Sequence, residues 1–394
     1  NLTFATDMIL QRWKLPKGGG TMFSFLPLCH IAEKLHSMGA GITLQYSVSF
    51  CTKFENVSSE LVEVQPTVLL AVPRVWEKMM EGVEAKLSQA KGLKKHLATW
   101  ALGLNREIMA ARLAGDSPGL FNLAQLPLAE KLVLSKIRHA LGLARVQACA
   151  SGAAALGEHI CKWFWGLGIE IYEDYGQTES TGILCLTEPG VDCTGTVGRP
   201  SPGTEFKLAD DGEILTRGPH VFKGYYANDT ATTETIRDGW LYTGDLGEWT
   251  DKGFIRIRGR KKEILKTSGG KMIAPVPIEE NLKAFPLISQ ACVVGDGRKF
   301  LSVLVTLTEE RLGRIKASGG AIKGQEIIDP EILREVGQCI DQINQELAGY
   351  EQLKKFKVLA QEFSIEAEEM TPTLKMKRAI VEHHYRPLIE QMYG

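Results

Sequence analysis

Residues 169–180 bring a strand, a glycine, a hydroxyl and a carboxylate into immediate succession. The apolar start of this stretch predicts a short strand, which breaks at Gly176 into a polar run over residues 177–180. A Thr178 hydroxyl can donate to a phosphate oxygen, and a Glu179 carboxylate can ligate the Mg²⁺ that shields phosphate charge. The pattern is typical of a nucleotide site at the carboxyl end of a strand, although a polar turn after a buried strand explains the same residues equally well.

Three further positions could contact a ligand. The strand predicted over residues 145–150 ends in the small residues 151–155, which would let a flat ligand lie against bare backbone. Asp245 lies at a glycine turn, where a carboxylate can accept both hydroxyls of a ribose. His30 lies just past the strand predicted over residues 21–26, so its imidazole either reaches a ligand crevice or simply hydrogen-bonds the start of the next helix.

The elements that must position these residues alternate between strand and helix in the first part of the chain. Such alternation predicts a parallel sheet flanked by helices. The predicted elements are a helix over residues 1–13, strands over residues 21–26, 42–45 and 67–72, and a helix over residues 53–63.

A long helical region is predicted from Pro73 to about residue 140, with breaks near residues 115–119 and Pro127. Its charges are mixed and include the basic segment of residues 91–96. Such a face is ordinarily solvated, and a patch for acidic lipid headgroups is the alternative that we keep open.

The sequence changes character after this region. Short strands with Gly and Pro turns from residue 194 to about residue 226 predict an antiparallel, barrel-like subregion. Residues 253–273 form a hairpin-like segment dense in Arg, Lys and Gly, and a compact α+β unit follows it. We therefore predict an α/β fold with a large domain over residues 1–258 and a small α+β domain over residues 259–394.

Composition narrows the class of protein. A chain of 394 residues is too long for one ordinary core, so two or more domains are expected. The net charge of −1 gives no reason to expect a nucleic-acid partner. Eight scattered cysteines without a Cys-x-x-Cys pair favour reduced thiols and a cytoplasmic protein, with peripheral membrane contact left open. The chain begins at Asn1 inside a helical pattern, so we expect further residues upstream.

Seven segments, each a weak signal alone, occur in a recognisable order. Together they resemble the core motifs of the acyl-adenylate-forming (AMP-binding) enzymes, which include acyl-CoA synthetases, peptide-synthetase adenylation domains and luciferases. The overall pattern looks most like a long-chain fatty acid–CoA ligase. The segments are FLPLCHIAEK, SGAAAL, YEDYGQTES, GEILTRGPHVFKGYY, DGWLYTGDLG, GRKKEILKTSGGKMIAPVPIE and TPTLKMKR.

The resemblance covers essentially the whole chain but omits one part of the family pattern. Members of the family carry a Ser/Thr/Gly-rich phosphate-binding loop ending in Pro-Lys, preceded by a large amino-terminal subdomain. We expect both to lie upstream of Asn1. Residues 1–258 would then be the carboxyl-terminal portion of the large domain.

The resemblance implies a reaction with two half-reactions. A carboxylate attacks the α-phosphate of ATP to give an acyl-adenylate, and the thiol of coenzyme A then displaces AMP. By the family pattern, Thr178 contacts phosphate, Glu179 ligates Mg²⁺, and Asp245 and Arg260 hold the ribose. The residues expected to bracket the adenine are Gly152, Ala153, Ala154, Tyr175 and Gly176.

The small domain is expected to change position between the half-reactions. Lys375 would neutralise charge at the forming acyl phosphate, whereas Lys377 is expected to be an ordinary solvated lysine. The hinge of this motion matches Lys262. After the rotation, residues of the preceding hairpin would face the coenzyme A channel, namely Lys266, Gly269 and Gly270.

By the resemblance, His30 would lie between the acyl pocket and the nucleotide. The leading function is an ATP-dependent fatty acyl–CoA ligase. The alternatives are an aryl–CoA ligase, a ligase that loads a carrier protein, and a non-catalytic scaffold with the same fold.

Overall fold

The computed structural model describes residues 1–318 and 321–394. The chain divides into two compact units. The first contains residues 1–243 and 247–257, and the second contains residues 244–246 and 258–394. Asp245 therefore belongs to the second unit, although its strand begins in the first.

The main sheet of the first unit has the strand order β2-β1-β3-β4-β5-β6-β7. Strands β1 to β5 pair in parallel, and β6 and β7 are antiparallel additions at one edge. Every residue of β3 and β4 is buried, as expected for parallel strands covered on both faces. The strands are β1 Thr21–Ser24, β2 Ser47–Phe50, β3 Val68–Ala71, β4 Ala148–Ser151, β5 Ile171–Tyr175, β6 Cys185–Leu186 and β7 Arg199–Pro200.

Helices cover this sheet and supply the largest buried side chains of the first unit. Trp76 and Phe164 meet edge to face with their ring centroids 5.3 Å apart, and Phe23 of β1 belongs to the same core. Among the described residues, none of the helices combines the length and the apolar character that crossing a membrane requires. The α-helices of eight or more residues here are Leu2–Trp13, Val57–Val64, Pro73–Gln89, Leu93–Leu113, Leu120–Ala129 and Glu158–Trp165.

The strand predicted over residues 42–45 is wrong. A helix runs through Ile31–Glu33, Lys34–Ala40 and Gly41–Leu44, with π-helical geometry in its middle segment. Ile42 is 73% exposed, so its apolar side chain does not mark a buried strand. The helix ends at Gln45, which has left-handed backbone, and the strand follows at Ser47–Phe50.

The break predicted at Pro127 is also wrong. Helix Leu120–Ala129 continues through this proline, and π-helical residues Glu130–Leu134 follow it directly. A proline removes one backbone donor and crowds the preceding turn, and a local widening of the helix accommodates both effects.

The antiparallel, barrel-like subregion is confirmed as a half-barrel sheet with the order β10-β11-β9-β8, in which β12 pairs with β11. Trp240–Trp249 alternates buried and partly exposed residues over most of its length, the pattern of a strand with one face on a core. The strands are β8 Glu205–Leu208, β9 Glu213–Arg217, β10 Ile236–Arg237, β11 Trp240–Trp249 and β12 Ile255–Arg260.

The second unit consists of a hairpin, a five-stranded sheet of order β15-β16-β19-β18-β17, and helices packed on it. The strands are β13 Leu265–Lys266, β14 Met272–Ile273, β15 Ile288–Val294, β16 Leu301–Leu307, β17 Ile322–Lys323, β18 Glu326–Ile327 and β19 Leu353–Leu359. Its α-helices among the described residues are Pro275–Lys283, Glu309–Ser318, Pro330–Asn344, Arg378–His384 and Arg386–Tyr393. The predicted fold class is confirmed.

A buried ion pair connects the carboxyl-terminal helices of the second unit to its sheet. Arg378 donates from Nη1 to the Val293 carbonyl at 2.8 Å and from Nη2 to Glu279 Oε2 at 2.8 Å. Glu279 Oε1 in turn accepts from the Val293 N–H at 2.7 Å. Both side chains are almost fully buried, so removing one would leave an uncompensated charge.

We predict that Glu279→Gln lowers the unfolding free energy of the second unit by about 3–5 kcal/mol, because the Arg378 cation would keep its burial and lose its counterion. Urea unfolding measures this change. The control is Glu310→Gln, which removes an exposed i,i+4 pair with Arg314 and should cost less than about 1 kcal/mol. Equal effects of the two substitutions would contradict the assignment.

Candidate functional site

The loop after β4 lies directly against the end of β5. Ser151 pairs with Glu173 in the parallel register, so Gly152 follows beside Asp174. A Cβ on Gly152 would lie 1.9 Å from Asp174 Oδ1, so a larger residue here would force the Asp174 side chain to move. The backbone then turns at Ala153, whose φ is 72°, and residues 153–155 are exposed. A flat ligand would meet backbone and methyl groups there.

Asp174 is a half-buried carboxyl near the carboxyl end of β5. Removal from water raises the pKa of Asp174 to about 7. The carboxyl is therefore partly protonated at neutral pH and can act as a hydrogen-bond donor as well as an acceptor.

A tight turn follows β5. A Cβ on Gly176 would lie 2.4 Å from the carbonyl oxygen of Gly182, so this position also requires glycine. A single 3-10 turn, Thr178–Ser180, comes next, and the side chains of Gln177 and Ser180 form a reciprocal capping box around it. Thr178 is exposed at the start of this turn, and its hydroxyl is accessible to a ligand.

Glu179 is held by the segment that precedes the half-barrel's long strand. The hydroxyl of Tyr225 donates to Glu179 Oε1 at 2.7 Å, and the N–H of Phe222 donates to the Glu179 carbonyl at 2.8 Å. Thr181 donates from its hydroxyl to the His220 carbonyl at 2.5 Å, which ties the other end of the turn to the same segment. These contacts fix the direction of the Glu179 carboxylate.

His30 lies at the start of helix Ile31–Glu33 as its N-cap. Its Nδ1 accepts from the backbone N–H of Ala32 at 3.3 Å, and burial lowers the pKa of the imidazole. The geometry matches the helix-start interpretation of this histidine. Nε2 is the ring nitrogen that would be able to meet a ligand.

In the second unit, Asp245 and Arg260 form an ion pair. Arg260 Nε lies 3.0 Å from Asp245 Oδ1, with the carboxylate only 6% exposed and the guanidinium side chain 46% exposed. Asp245 lies inside β11, so the glycine turn predicted at this acid is wrong, although Gly244 just before it has a left-handed φ of 73° that favours glycine. The pair presents a fixed carboxylate beside a cation that is open to solvent.

Lys375 lies on a tight loop between two backbone contacts. The Leu374 N–H donates to the Thr371 carbonyl at 2.8 Å, and the Lys375 N–H donates to Thr371 Oγ1 at 3.0 Å. Leu374 has φ 58°, a left-handed conformation that costs a side-chain-bearing residue about 1–2 kcal/mol. Beyond the lysine, the Lys377 N–H donates to the Glu369 carbonyl at 2.7 Å and closes the loop. Backbone strain of this kind often marks a functional position.

The charge environment of Lys375 brings three predicted residues together. Burial and then the Arg260 cation lower the pKa of Lys375, while Glu263 and Asp245 offset part of that shift. Lys375, Asp245 and Arg260 therefore form one electrostatic cluster inside the second unit.

The predicted hinge and hairpin residues follow Arg260 along the chain. Lys262 lies in the exposed 3-10 turn Lys261–Glu263 directly after β12. Lys266 is exposed on β13, and its backbone N–H donates to Asp296 Oδ1 at 2.9 Å. Gly269 and Gly270 are exposed at the hairpin turn, where Gly270 has φ 77°.

Three residues of the site were missed by the sequence analysis. They are Asp174, Tyr225 and Glu263. Asp174 could have been noticed as a carboxylate inside a predicted buried strand. Tyr225 belongs to the GPHVFKGYY motif, but no local rule pairs it with an acid 46 residues earlier. Glu263 follows two lysines, so the sequence alone indicates only an ordinary surface charge.

Two family descriptions match the chain: "AMP-binding enzyme" over residues 1–226 and "AMP-binding enzyme C-terminal domain" over residues 262–394. The chain belongs to the AMP-binding enzyme family. The resemblance found in the seven motifs is confirmed.

Relatives within the family are fatty-acid–CoA ligases by name. The chain is 37% identical to the long-chain-fatty-acid–CoA ligase FadD15 of Mycobacterium bovis, over 96% of this chain and 63% of that protein. It is 34% identical to the putative fatty-acid–CoA ligase fadD11 of Mycobacterium tuberculosis, over 95% of this chain and 67% of that protein. The chain thus spans about two thirds of the length of these relatives.

Solved structures share the fold at low identity. The adenylation domain of a carboxylate reductase from Mycobacterium chelonae gives a TM-score of 0.73 at 22% identity, over 98% of this chain and 56% of that one. The anthranilate CoA ligase AuaEII, solved with anthranoyl-AMP, gives a TM-score of 0.69 at 17% identity, over 97% of this chain and 63% of that one.

We predict that Asp174→Asn stabilises the first unit at pH 8 by on the order of 2 kcal/mol. The folded pKa of Asp174 lies above the value of about 3.9 in an unfolded chain, so the wild type loses stability as pH rises from about 4 to about 7. Asparagine does not ionise and escapes that loss. Urea unfolding between pH 5 and pH 8 measures the difference.

The advantage of Asp174→Asn should shrink as the pH falls toward 4. The control is Asp251→Asn, which changes an exposed carboxylate in a turn. An advantage that is independent of pH would show that Asp174 is not a buried, protonated carboxyl.

Proposed function

We propose that the protein of which this chain is part activates a long-chain fatty acid with ATP and transfers the acyl group to coenzyme A. The acyl-adenylate is the intermediate, and pyrophosphate and AMP are the leaving groups of the two half-reactions. The observation that carries the proposal is the cluster of Lys375 with Asp245 and Arg260. If Asp245 accepts the ribose hydroxyls, a cation beside it lies near the α-phosphate, because that phosphate is bonded to the same sugar.

The first half-reaction brings a carboxylate and a phosphate together, so its main obstacle is negative charge. A positioned cation in a site of low dielectric stabilises that charge more than it could in water. Lys375 supplies such a cation on a flexible stem. Arg260 adds a permanent one that also orients Asp245.

In the first unit, Thr178 and Glu179 would contact the phosphates. Mg²⁺ bound to a nucleotide needs only one or two protein carboxylates, because phosphate oxygens and waters complete its coordination. Glu179 fits this need, since Tyr225 anchors one carboxylate oxygen and the other can face a metal ion. When bound, Mg²⁺ would shield phosphate charge.

The adenine would lie on the loop of Gly152, Ala153 and Ala154, bracketed by Tyr175 and Gly176. Support comes from the exposed small residues after β4 and from the adjacent strand ends of β4 and β5. Gly176 is required by its close contact with the backbone of Gly182, and Gly152 leaves room for the Asp174 side chain, so the shape of this pocket depends on both. His30 would face the acyl group through Nε2.

We propose that residues 259–394 form the small domain. The second half-reaction needs a different face of this domain. We propose that the domain turns about Lys262, which lies at the end of a strand where one or two residues can absorb the change in backbone angles. Lys266, Gly269 and Gly270 would then contact coenzyme A. The exposed lysine and the bare hairpin turn suit a ligand that carries phosphates on a narrow arm.

The acyl substrate is proposed from the names of the relatives. An aryl acid is the second candidate, because AuaEII shares the fold and its name gives it an aromatic substrate. Pyrophosphate exchange by the full-length protein across carboxylic acids of rising chain length discriminates between the two. We expect exchange to rise with chain length. Exchange with benzoate-type acids alone would favour the aryl ligase, and absence of both exchange and ATP binding would favour a scaffold.

We predict that Lys375→Ala slows adenylation by at least about 100-fold, because the transition state loses its cation. Thioester formation from supplied acyl-adenylate should change little. Stopped assays of the two half-reactions measure this split. Lys377→Ala is the matched control and should leave both half-reactions within about twofold. Equal losses in both half-reactions would contradict the alternation of the small domain.

We predict that Glu179→Ala raises the Mg²⁺ concentration needed for half-maximal adenylation by about tenfold or more, because the metal ion loses its protein ligand. Tyr225→Phe should give a smaller shift in the same direction, since it frees the carboxylate without removing it. Glu234→Ala, an exposed acid on helix Asp229–Thr235, is the control. An unchanged metal dependence in Glu179→Ala would refute the ligand role.

A further inference from the structure

Helix Leu120–Ala129 and the π-helical turn after it carry an apolar row on the solvent side. Leu120 is 85% exposed, Phe121 78%, Leu128 54% and Leu132 37%. Ala124 and Pro127 lie at the helical spacing between these side chains and are also exposed. A surface helix normally presents polar residues in this direction, so the row is an exposed apolar patch.

The opposite side of the same helix is apolar as well. Leu123, Leu126 and Val133 pack against the core of the first unit, and Ala129 and Leu134 belong to that core. The core-facing side of this helix is therefore already packed, and the exposed apolar row is a second side of the same helix. A surface helix with apolar residues on both its inner and its outer side needs a second apolar environment for the outer one.

The helix runs antiparallel to its predecessor, Leu93–Leu113. Asn122 Nδ2 donates to Glu107 Oε2 at 3.0 Å, and Trp100 Nε1 donates to Gln125 Oε1 at 3.1 Å. The beginning of the earlier helix therefore lies toward the Leu128 end of the row. Leu93 at that beginning is 74% exposed and adds a further exposed apolar side chain at this end.

Positive charge accompanies this end of the row. The exposed segment of residues 91–96 contains three lysines and a histidine and no acid. Lys131 lies next to Leu132 and is exposed. Glu130, the acidic residue next to Lys131, is paired with Arg138. Exposed leucine and phenylalanine side chains with lysines nearby match the surface of a lipid bilayer, where anionic headgroups cover an apolar acyl region.

We propose that this face docks on an anionic lipid membrane. Leu120, Phe121, Leu128 and Leu132 enter the boundary between headgroups and acyl chains, and the cations of residues 91–96 and Lys131 contact the headgroups. The inference is independent of the proposed function, because it stands on exposure and charge alone.

The charges argue against a second copy of the chain on the same face. A two-fold interface would bring the same lysine-rich segment to both sides, and like charges oppose such pairing. An anionic surface has the opposite effect, since each lysine near it adds to binding and salt weakens it.

Co-sedimentation of the full-length protein with vesicles tests the proposal. We expect at least about tenfold more binding to phosphatidylcholine–phosphatidylserine vesicles than to phosphatidylcholine alone, and weaker binding at high salt. The triple variant Leu120→Ser/Phe121→Ser/Leu128→Ser should lose about tenfold or more of that binding. Lys94→Glu/Lys95→Glu should lose the preference for phosphatidylserine.

The control is Ile42→Ser, which removes another highly exposed apolar side chain and should bind as the wild type does. Circular dichroism and urea unfolding should show the triple variant folded, because its substituted side chains lie outside the core. Wild-type binding that is absent, or unchanged by the triple substitution, overturns the proposal.

Two other occupants of the face give distinct results, and either overturns the proposal. If a second copy covers the face, the wild type sediments as a dimer and the triple variant as a monomer without any lipid. If another segment of the full-length protein covers it, Leu120→Cys resists maleimide labelling in the absence of vesicles.

Discussion

Under the proposed function, concentrated negative charge is the constraint on which the rest depends, because a carboxylate and three phosphates, and later a second phosphorylated substrate, have to come together. In the second unit, the buried Asp245 is paired with Arg260, and both act electrostatically on Lys375. In the first unit, the Tyr225 hydroxyl fixes the direction of the Glu179 carboxylate, which we propose as a Mg²⁺ ligand. Glu179 and Asp245 are thus each held by a partner before any ligand arrives, and such preorganisation is where electrostatic catalysis gains its advantage.

The position of Lys375 depends on interactions well outside the site. Its loop closes on Thr371 and on the backbone of Glu369, and it passes through a left-handed leucine that the surrounding contacts must sustain. Three residues later, Arg378 enters the buried pair with Glu279. The packing of Arg378 against the second unit therefore helps to determine the position of the Lys375 loop. If the second unit moves as we propose, its fixed loop is what allows Lys375 to be delivered accurately.

The sequence predicted those parts of the fold and the site that depend on local patterns. Strand-helix alternation indicated the main sheet, and the glycines at 152 and 176 were recognisable because each follows a strand. Contacts between distant segments were out of reach. Tyr225 meets Glu179 across the fold, and the charge of Glu263 matters only because the chain brings it to Lys375. The apolar residues from Ile42 onward suggested a strand, whereas they belong to the end of a helix with a π-helical middle segment. Leucine at position 374 gives no sign of its left-handed backbone.

The central claim is that Lys375 lies beside the α-phosphate of a nucleotide whose ribose is held by Asp245. Protection of Lys375 from an amine-reactive reagent, measured by mass spectrometry of the full-length protein, tests it most directly. AMP should slow labelling of Lys375 by about tenfold or more, while adenosine, which lacks the phosphate, should have little effect. Lys377 reports the general reactivity of the same loop. Equal labelling of Lys375 with AMP, with adenosine and with no ligand would contradict the account.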